Sequence, residues 1–260
     1  MTCRLEIDAA LGVATIVLDR PATRNAFSAE LARSLDEALD AIEADAECRA
    51  VVLAADGPAF CVGGDVGLFA RELATGGLVD RVASDVALFN PLVHRLGTFA
   101  LPVVASVHGA VAGGGLALAA ACDLRVAEPG AIFVPGFIGV GLPPDTGSSW
   151  LIPRLVGAGR AADFFMRNRR LDADTALDWG LINEIVEEPR ARAIQLASEL
   201  AAGPRRALAE TKRLLAGSAR HTFEQQLDAE ESAVVRSILG PEIIEGVTAF
   251  VEKRRPWFPA

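Results

Sequence analysis

"LPVVASVHGAVAGGGLALAAA", residues 101–121, is long and apolar enough to cross a bilayer as one helix, so a membrane protein and a folded core compete for it. Against a span stand Pro102, His108 and the run Gly113-Gly114-Gly115, and no basic cluster flanks the stretch. A strand, a tight turn and a buried helix of small residues account for it better. The membrane reading is therefore rejected.

The same alternation extends in both directions. "AVVLAA" (50–55), "PVVASV" (102–107), "DLRVA" (123–127) and "LINEIV" (181–186) are short apolar runs with helical stretches between them. Such a pattern predicts an α/β fold with buried, largely parallel strands. Upstream, "CRLEID" and "VATIVLDR" flank Ala9-Ala10-Leu11-Gly12 and read as a hairpin. Ser28 is placed to cap a helix whose Leu31, Leu35, Leu39 and Ile42 share one face. After Glu187 the chain turns helical, punctuated by Gly203-Pro204, Gly217 and Gly240-Pro241. This divides it into a core over 1–200 and a helical module over 201–260.

Composition narrows the function. The 260 residues are 51% hydrophobic and 23% charged, which supports a substantial core. A net charge of -9 argues against nucleic-acid binding, which asks for a basic stripe. The four cysteines form no CxxC pair and no signal peptide is evident, so reduced thiols and a cytoplasmic location are expected. The three histidines lack metal-ligand spacing, and no metal site is expected.

Two glycine turns, "FCVGGD" (60–65) and "HGAVAGGGLALAAACD" (108–123), each follow an apolar run. Glycine lets backbone approach a ligand, and a helix N-terminus offers unpaired N–H groups. Two such donors on separate loops would clamp one developing oxyanion; ordinary turns with close strand–helix packing would give the same pattern. A dinucleotide fingerprint fits less well, because the final glycine of G-x-G-x-x-G is missing after Gly113. A third stretch, "VGLPPDTGSSWLIPRLVG" (140–157), places Asp145 just before a helix. There it is either an N-cap or a reactive carboxylate.

The blocks "RPATRNAFS" (20–28), "GPAFCVGGD" (57–65), "HGAVAGGGLALAAACD" (108–123), "LDADTALDWGLINEIV" (171–186) and "EGVTAFVEKRRPWF" (245–258), in that order, resemble the crotonase or enoyl-CoA hydratase/isomerase family over nearly the whole chain. The resemblance implies a spiral of ββα turns and a helical C-terminal region that assembles homotrimers or dimers of trimers. It implies acyl-CoA thioester substrates, with coenzyme A entering as part of the substrate and no permanently bound cofactor. It places an oxyanion hole at the backbone N–H groups of Gly64 and Gly114. It assigns Arg24 and the Ala26 backbone to the adenosine end of CoA, and Phe250 and Lys253 to the nucleotide of a neighbouring subunit.

The chain also departs from the hydratase pattern. The two glutamates of the water-adding enzymes fall on Ala117 and Phe137, neither of which accepts a proton. "GLPPDTGSSWLIPRLVG" and "LFNPLVHRLG" (88–97) are instead similar to the aspartate-dependent enoyl-CoA and epoxyphenylacetyl-CoA isomerases. That resemblance makes Asp145 the acid/base of a double-bond shift or ring rearrangement. Phe137, Ile138, Val140, Leu142 and the two prolines are expected to wall it off from water and raise its pKa. In the related 4-chlorobenzoyl-CoA dehalogenases the same aspartate is a nucleophile; their histidine base falls on Asn90 and their ring-binding tryptophan on Phe137. His94, one turn from Asn90, is expected to be a partly exposed helix residue. The region Phe69 to Asn90, broken at Thr75-Gly76-Gly77, is expected to border the acyl pocket. A non-catalytic acyl-CoA-binding protein is the alternative.

Overall fold

The computed structural model describes residues 2–258. The hairpin forms as read: β1 (Cys3–Asp8) pairs antiparallel with β2 (Val13–Leu18). Next comes α1 (Ala29–Ala44), whose cap Ser28 accepts a bond from the Leu31 N–H and which buries Leu31, Leu35, Leu39 and Ile42. β3 (Ala50–Ala55) leads through α2 (Val66–Thr75) and α3 (Leu78–Thr98) to β4 (Val103–Val107). β5 (Ala110–Ala112), α4 (Gly114–Ala121), β6 (Leu124–Ala127) and β7 (Ile132–Val134) follow. The chain continues with α5 (Ser148–Val156), α6 (Ala158–Met166), β8 (Leu171–Asp172), α7 (Ala173–Trp179) and β9 (Glu184–Ile185). It closes with α8 (Pro189–Ala201), α9 (Arg205–Ser218), α10 (Phe223–Ile238) and α11 (Glu242–Glu252).

The larger sheet has the order β1-β2-β3-β4-β6-β9 and is parallel from β2 onward. β3 explains why its sequence is apolar without alternation. Val51, Leu53 and Ala55 enter the main core, while Ala50, Val52 and Ala54 enter a second core on the opposite face. There Ala193, Ala197 and Ala201, at four-residue spacing on α8, lie close against the sheet because they are small. The α/β expectation holds.

The decisive stretch 101–121 needs one amendment. Between β4 and α4 stands β5, which pairs parallel with β7, itself antiparallel to β8, so a second, three-stranded sheet exists. All eight residues of α4 are buried, as expected for a helix apolar on every side inside a folded core. Among the described residues no helix is long and apolar enough to cross a membrane, and no group of three or more His, Cys, Asp or Glu is arranged to hold a metal.

Candidate active site

The site is assembled by one loop clamping another. Asn25, fully buried with φ 56°, accepts from the Arg20 N–H at 2.7 Å through its side-chain oxygen. Its amide nitrogen donates to the carbonyls of Asp56 and Ala59 at 3.0 and 2.9 Å. Asparagine tolerates this left-handed backbone better than most residues do. The Phe27 N–H then donates to the Gly63 carbonyl at 2.7 Å, and the Cys61 thiol to the Asn25 carbonyl at 3.1 Å. Segment 20–28 thus fixes the loop that presents Gly64.

That loop is in turn joined to the start of α4. The Ala112 N–H donates to the Cys61 carbonyl at 2.9 Å, and Cys61 bridges Val111 as a parallel strand would. Gly63 takes φ 72° and lies so close to the second turn that a Cβ there would sit 2.5 Å from the Gly114 nitrogen. Neither the Gly64 N–H nor the Gly114 N–H donates to a partner among the described residues. Both glycines line one cleft. Two free donors therefore meet at a single opening, as an oxyanion site requires.

Asp145 lines the same cleft, together with Thr146 and the apolar side chains Phe27, Val66, Phe69, Phe137, Val140 and Leu142. It does not cap a helix. α5 starts at Ser148, its cap position is Gly147, and no side chain bonds to its N-terminus; only the Asp145 backbone carbonyl accepts the Ser148 N–H, at 2.9 Å. The Asp145 carboxylate instead accepts from the Thr146 hydroxyl at 2.8 Å through Oδ1, and Oδ2 has no partner among the described residues. Thr146 is buried at φ 51°, a conformation unfavourable for a β-branched residue, and it holds the carboxylate in place. Burial pushes the Asp145 carboxyl above the ordinary aspartate range, with the Thr146 bond pulling more weakly the other way. The expected walls need one correction: Ile138 is about half exposed, and neither it nor the two prolines lines the cleft.

A second carboxylate, not anticipated from the sequence, also lines the cleft. Asp85 on α3 is 4% exposed and receives two bonds from Arg81, Nε to Oδ2 at 3.0 Å and Nη2 to Oδ1 at 2.7 Å. Burial raises its carboxyl, Arg81 opposes that, and Asp65 adds to it; the net direction is up. In the sequence Asp85 reads as one more polar helix residue. The available signal was its position between Val82 and Val86 on the face that borders the cleft. That face borders the cleft together with Val66 and Phe69, and the break at residues 75–77 separates α2 from α3. Asn90 and His94 are both exposed and outside the lining. Cys61, beneath the Gly64 loop, is no nucleophile, because burial pushes its thiol up to about 12.

The remaining expected residues are distributed as follows. Arg24 is exposed, and its carbonyl accepts from the Val62 N–H at 3.3 Å. The Ala26 N–H donates to the Thr23 carbonyl at 3.1 Å, while its own carbonyl accepts from Arg20 Nη1 at 2.6 Å. Phe250 on α11 is 84% exposed, and Lys253 just past its end is exposed as well. Ala117 is fully buried within α4 and does not line the cleft.

Residues 8–260 match the family model described as enoyl-CoA hydratase/isomerase. The chain is 36% identical over 250 residues to the 1,2-epoxyphenylacetyl-CoA isomerase of Escherichia coli, covering 95% of each protein. It is 33% identical over 248 residues to 4-chlorobenzoyl coenzyme A dehalogenase-2 of an Arthrobacter species, covering 93% of this chain and 88% of that one. Among solved structures, an enoyl-CoA hydratase from Polaromonas sp. JS666 superposes with a TM-score of 0.92 at 32% identity, covering 99% of both chains.

Proposed function

The chain belongs to the enoyl-CoA hydratase/isomerase family, and on that premise we propose that it is an acyl-CoA isomerase using Asp145 as its single acid/base. One observation carries this reading: a part-buried carboxylate with one free oxygen and no cationic partner shares a cleft with two unpaired backbone N–H groups. Oδ2 of Asp145 takes a proton from a carbon of the acyl chain. The electron pair moves into the thioester, and negative charge develops on its oxygen between the N–H groups of Gly64 and Gly114. The same carboxylic acid then returns the proton to a different carbon, and the double bond has moved. A positioned acid/base contributes about 10²–10⁴ to such a rate, and one oxyanion donor about 10²–10³.

Water addition asks for more. Ala117 and Phe137 supply no acid or base, and Asp85 is paired with Arg81, whose charge opposes protonation of that carboxylate. The likeness to a dehalogenase favours a second reading, in which Asp145 attacks an activated aromatic ring. Against it, no histidine among the described residues lines the cleft.

Asp145→Asn keeps the size and the Thr146 contact but cannot accept the proton. Isomerisation of a 3-enoyl-CoA is expected to fall by about 10² or more, with binding of the thioester retained. Undiminished activity in that variant would remove Asp145 from the mechanism. Chloride release from 4-chlorobenzoyl-CoA by the unmodified protein would establish the second reading.

A further inference from the structure

Asp85 is the group in the cleft that the proposed chemistry leaves unused. Val82, Asp85 and Val86 border the cleft from one face of α3, and the Asp85 side chain is only 6% exposed against 25% for Arg81. Helix energetics do not account for it. Aspartate is a poor interior helix former. The pair is in the less favourable order, base before acid at four-residue spacing. Taking a carboxylate out of water costs more than such a pair returns, unless further hydrogen bonds use its remaining lone pairs. Each Asp85 oxygen accepts one bond from Arg81, which leaves acceptor capacity unused among the described residues.

We propose that Asp85 is a specificity-determining residue, and that the cleft selects acyl groups carrying a hydroxyl whose O–H donates to the Asp85 carboxylate. An ionised carboxylate accepts and does not donate, so a hydroxyl satisfies it and an ether or ketone oxygen does not. Arg81 opposes the upward push of burial on this carboxyl and fixes its plane by binding both oxygens. The inference rests on reading the cleft as the acyl pocket of a CoA thioester.

Binding, rather than turnover, tests it. Calorimetry would compare hexanoyl-CoA with hexanoyl-CoA hydroxylated at each chain carbon in turn, and phenylacetyl-CoA with its ring-hydroxylated forms. The unmodified protein is expected to bind one hydroxylated member about tenfold to a hundredfold more tightly than its parent, the range for a hydrogen bond to a charged group. The double variant Arg81→Leu/Asp85→Leu replaces the pair with apolar side chains and leaves no unpaired buried charge. It is expected to lose that preference while binding the parent thioester at least as well. Equal binding of hydroxylated and parent thioesters by the unmodified protein would overturn the inference alone, as would a preference that survives in the double variant. Failure of every thioester to bind would overturn the acyl-CoA reading and this inference with it.

Discussion

At the scale of single residues, the carboxyl of Asp145 links the proposed chemistry to stability. Because burial raises its pKa in the folded chain, the folded state holds this proton more tightly than the unfolded state does. Stability from this group is therefore lost as pH rises from the ordinary aspartate value, about 3.9, through the raised one, and the penalty is complete above it. Asp145→Asn removes that penalty. The variant is expected to melt no lower than the unmodified protein at neutral pH, and calorimetric scans should show the gap closing in acid. Activity runs the opposite way: it needs the ionised carboxylate and should fall as pH drops through the raised value. A pH–rate profile whose acidic limb lies at the ordinary aspartate value would contradict the burial argument. Gly114 gives a second test. A Cβ there would collide with the Phe27 ring, and Phe27 is held against Phe89 with ring centroids 3.5 Å apart. Gly114→Ala is expected to cost about 1–3 kcal/mol through overpacking and to lower kcat by displacing the donor; denaturant melts and steady-state kinetics check the two effects separately. Asp145 was singled out by its turn and its family resemblance, but Asp85 was not. A charge on a helix is ordinarily solvated, and only the tertiary packing of α3 beside α1, α2 and α4 makes this one buried.

At the scale of elements, long periodic segments were legible and short paired ones were not. α1 follows from its cap and its apolar spacing, and β3 from an unbroken apolar run buried on both faces. β5, β7 and β8 have three, three and two residues. Strands of that length carry no period and exist because partners lie beside them. "LINEIV" likewise yields only Glu184–Ile185 as strand, since β6 pairs with it only through Val126 and Ala127 at that edge. Long-range charge is equally hidden. Lys212 on α9, 9% exposed, bonds Asp123 at 2.8 Å and the carbonyls of Leu96 and Leu101 at 3.2 Å each. These contacts tie α9 to the end of α3 and to the residues that lead into β4 and β6. Breaking a fully buried pair costs about 3–5 kcal/mol, and Asp123 is about one-third exposed. Lys212→Met is therefore expected to cost about 2 kcal/mol in chemical denaturation, with the family fold retained.

At the scale of the whole molecule, the last two helices do not finish their own burial. Phe223, Val234, Ile238, Leu239, Ile244, Val251 and Trp257 are all more than half exposed along α10, α11 and the segment after them. So many large apolar side chains left exposed along two helices point to an interaction surface rather than a solvated face. This surface, together with the homotrimer or dimer of trimers that the family resemblance implies, predicts that sedimentation equilibrium at micromolar protein shows no stable monomer. Assembly also sets the prediction for CoA. Phe250 and Lys253 lie on and just after α11, and Arg24 belongs to the loop that fixes Gly64. If one subunit's tail completes its neighbour's nucleotide site, removing the Arg24 and Lys253 charges together weakens acyl-CoA binding without changing the chemical step. The loss should shrink as salt rises, since exposed charges are screened beyond about 10 Å at 0.1 M. Such a variant is expected to raise KM severalfold while kcat holds. An unchanged KM at low salt would show that CoA is held by other groups, and a fall in kcat alone would place these residues nearer the reacting carbons than the geometry of the cleft allows.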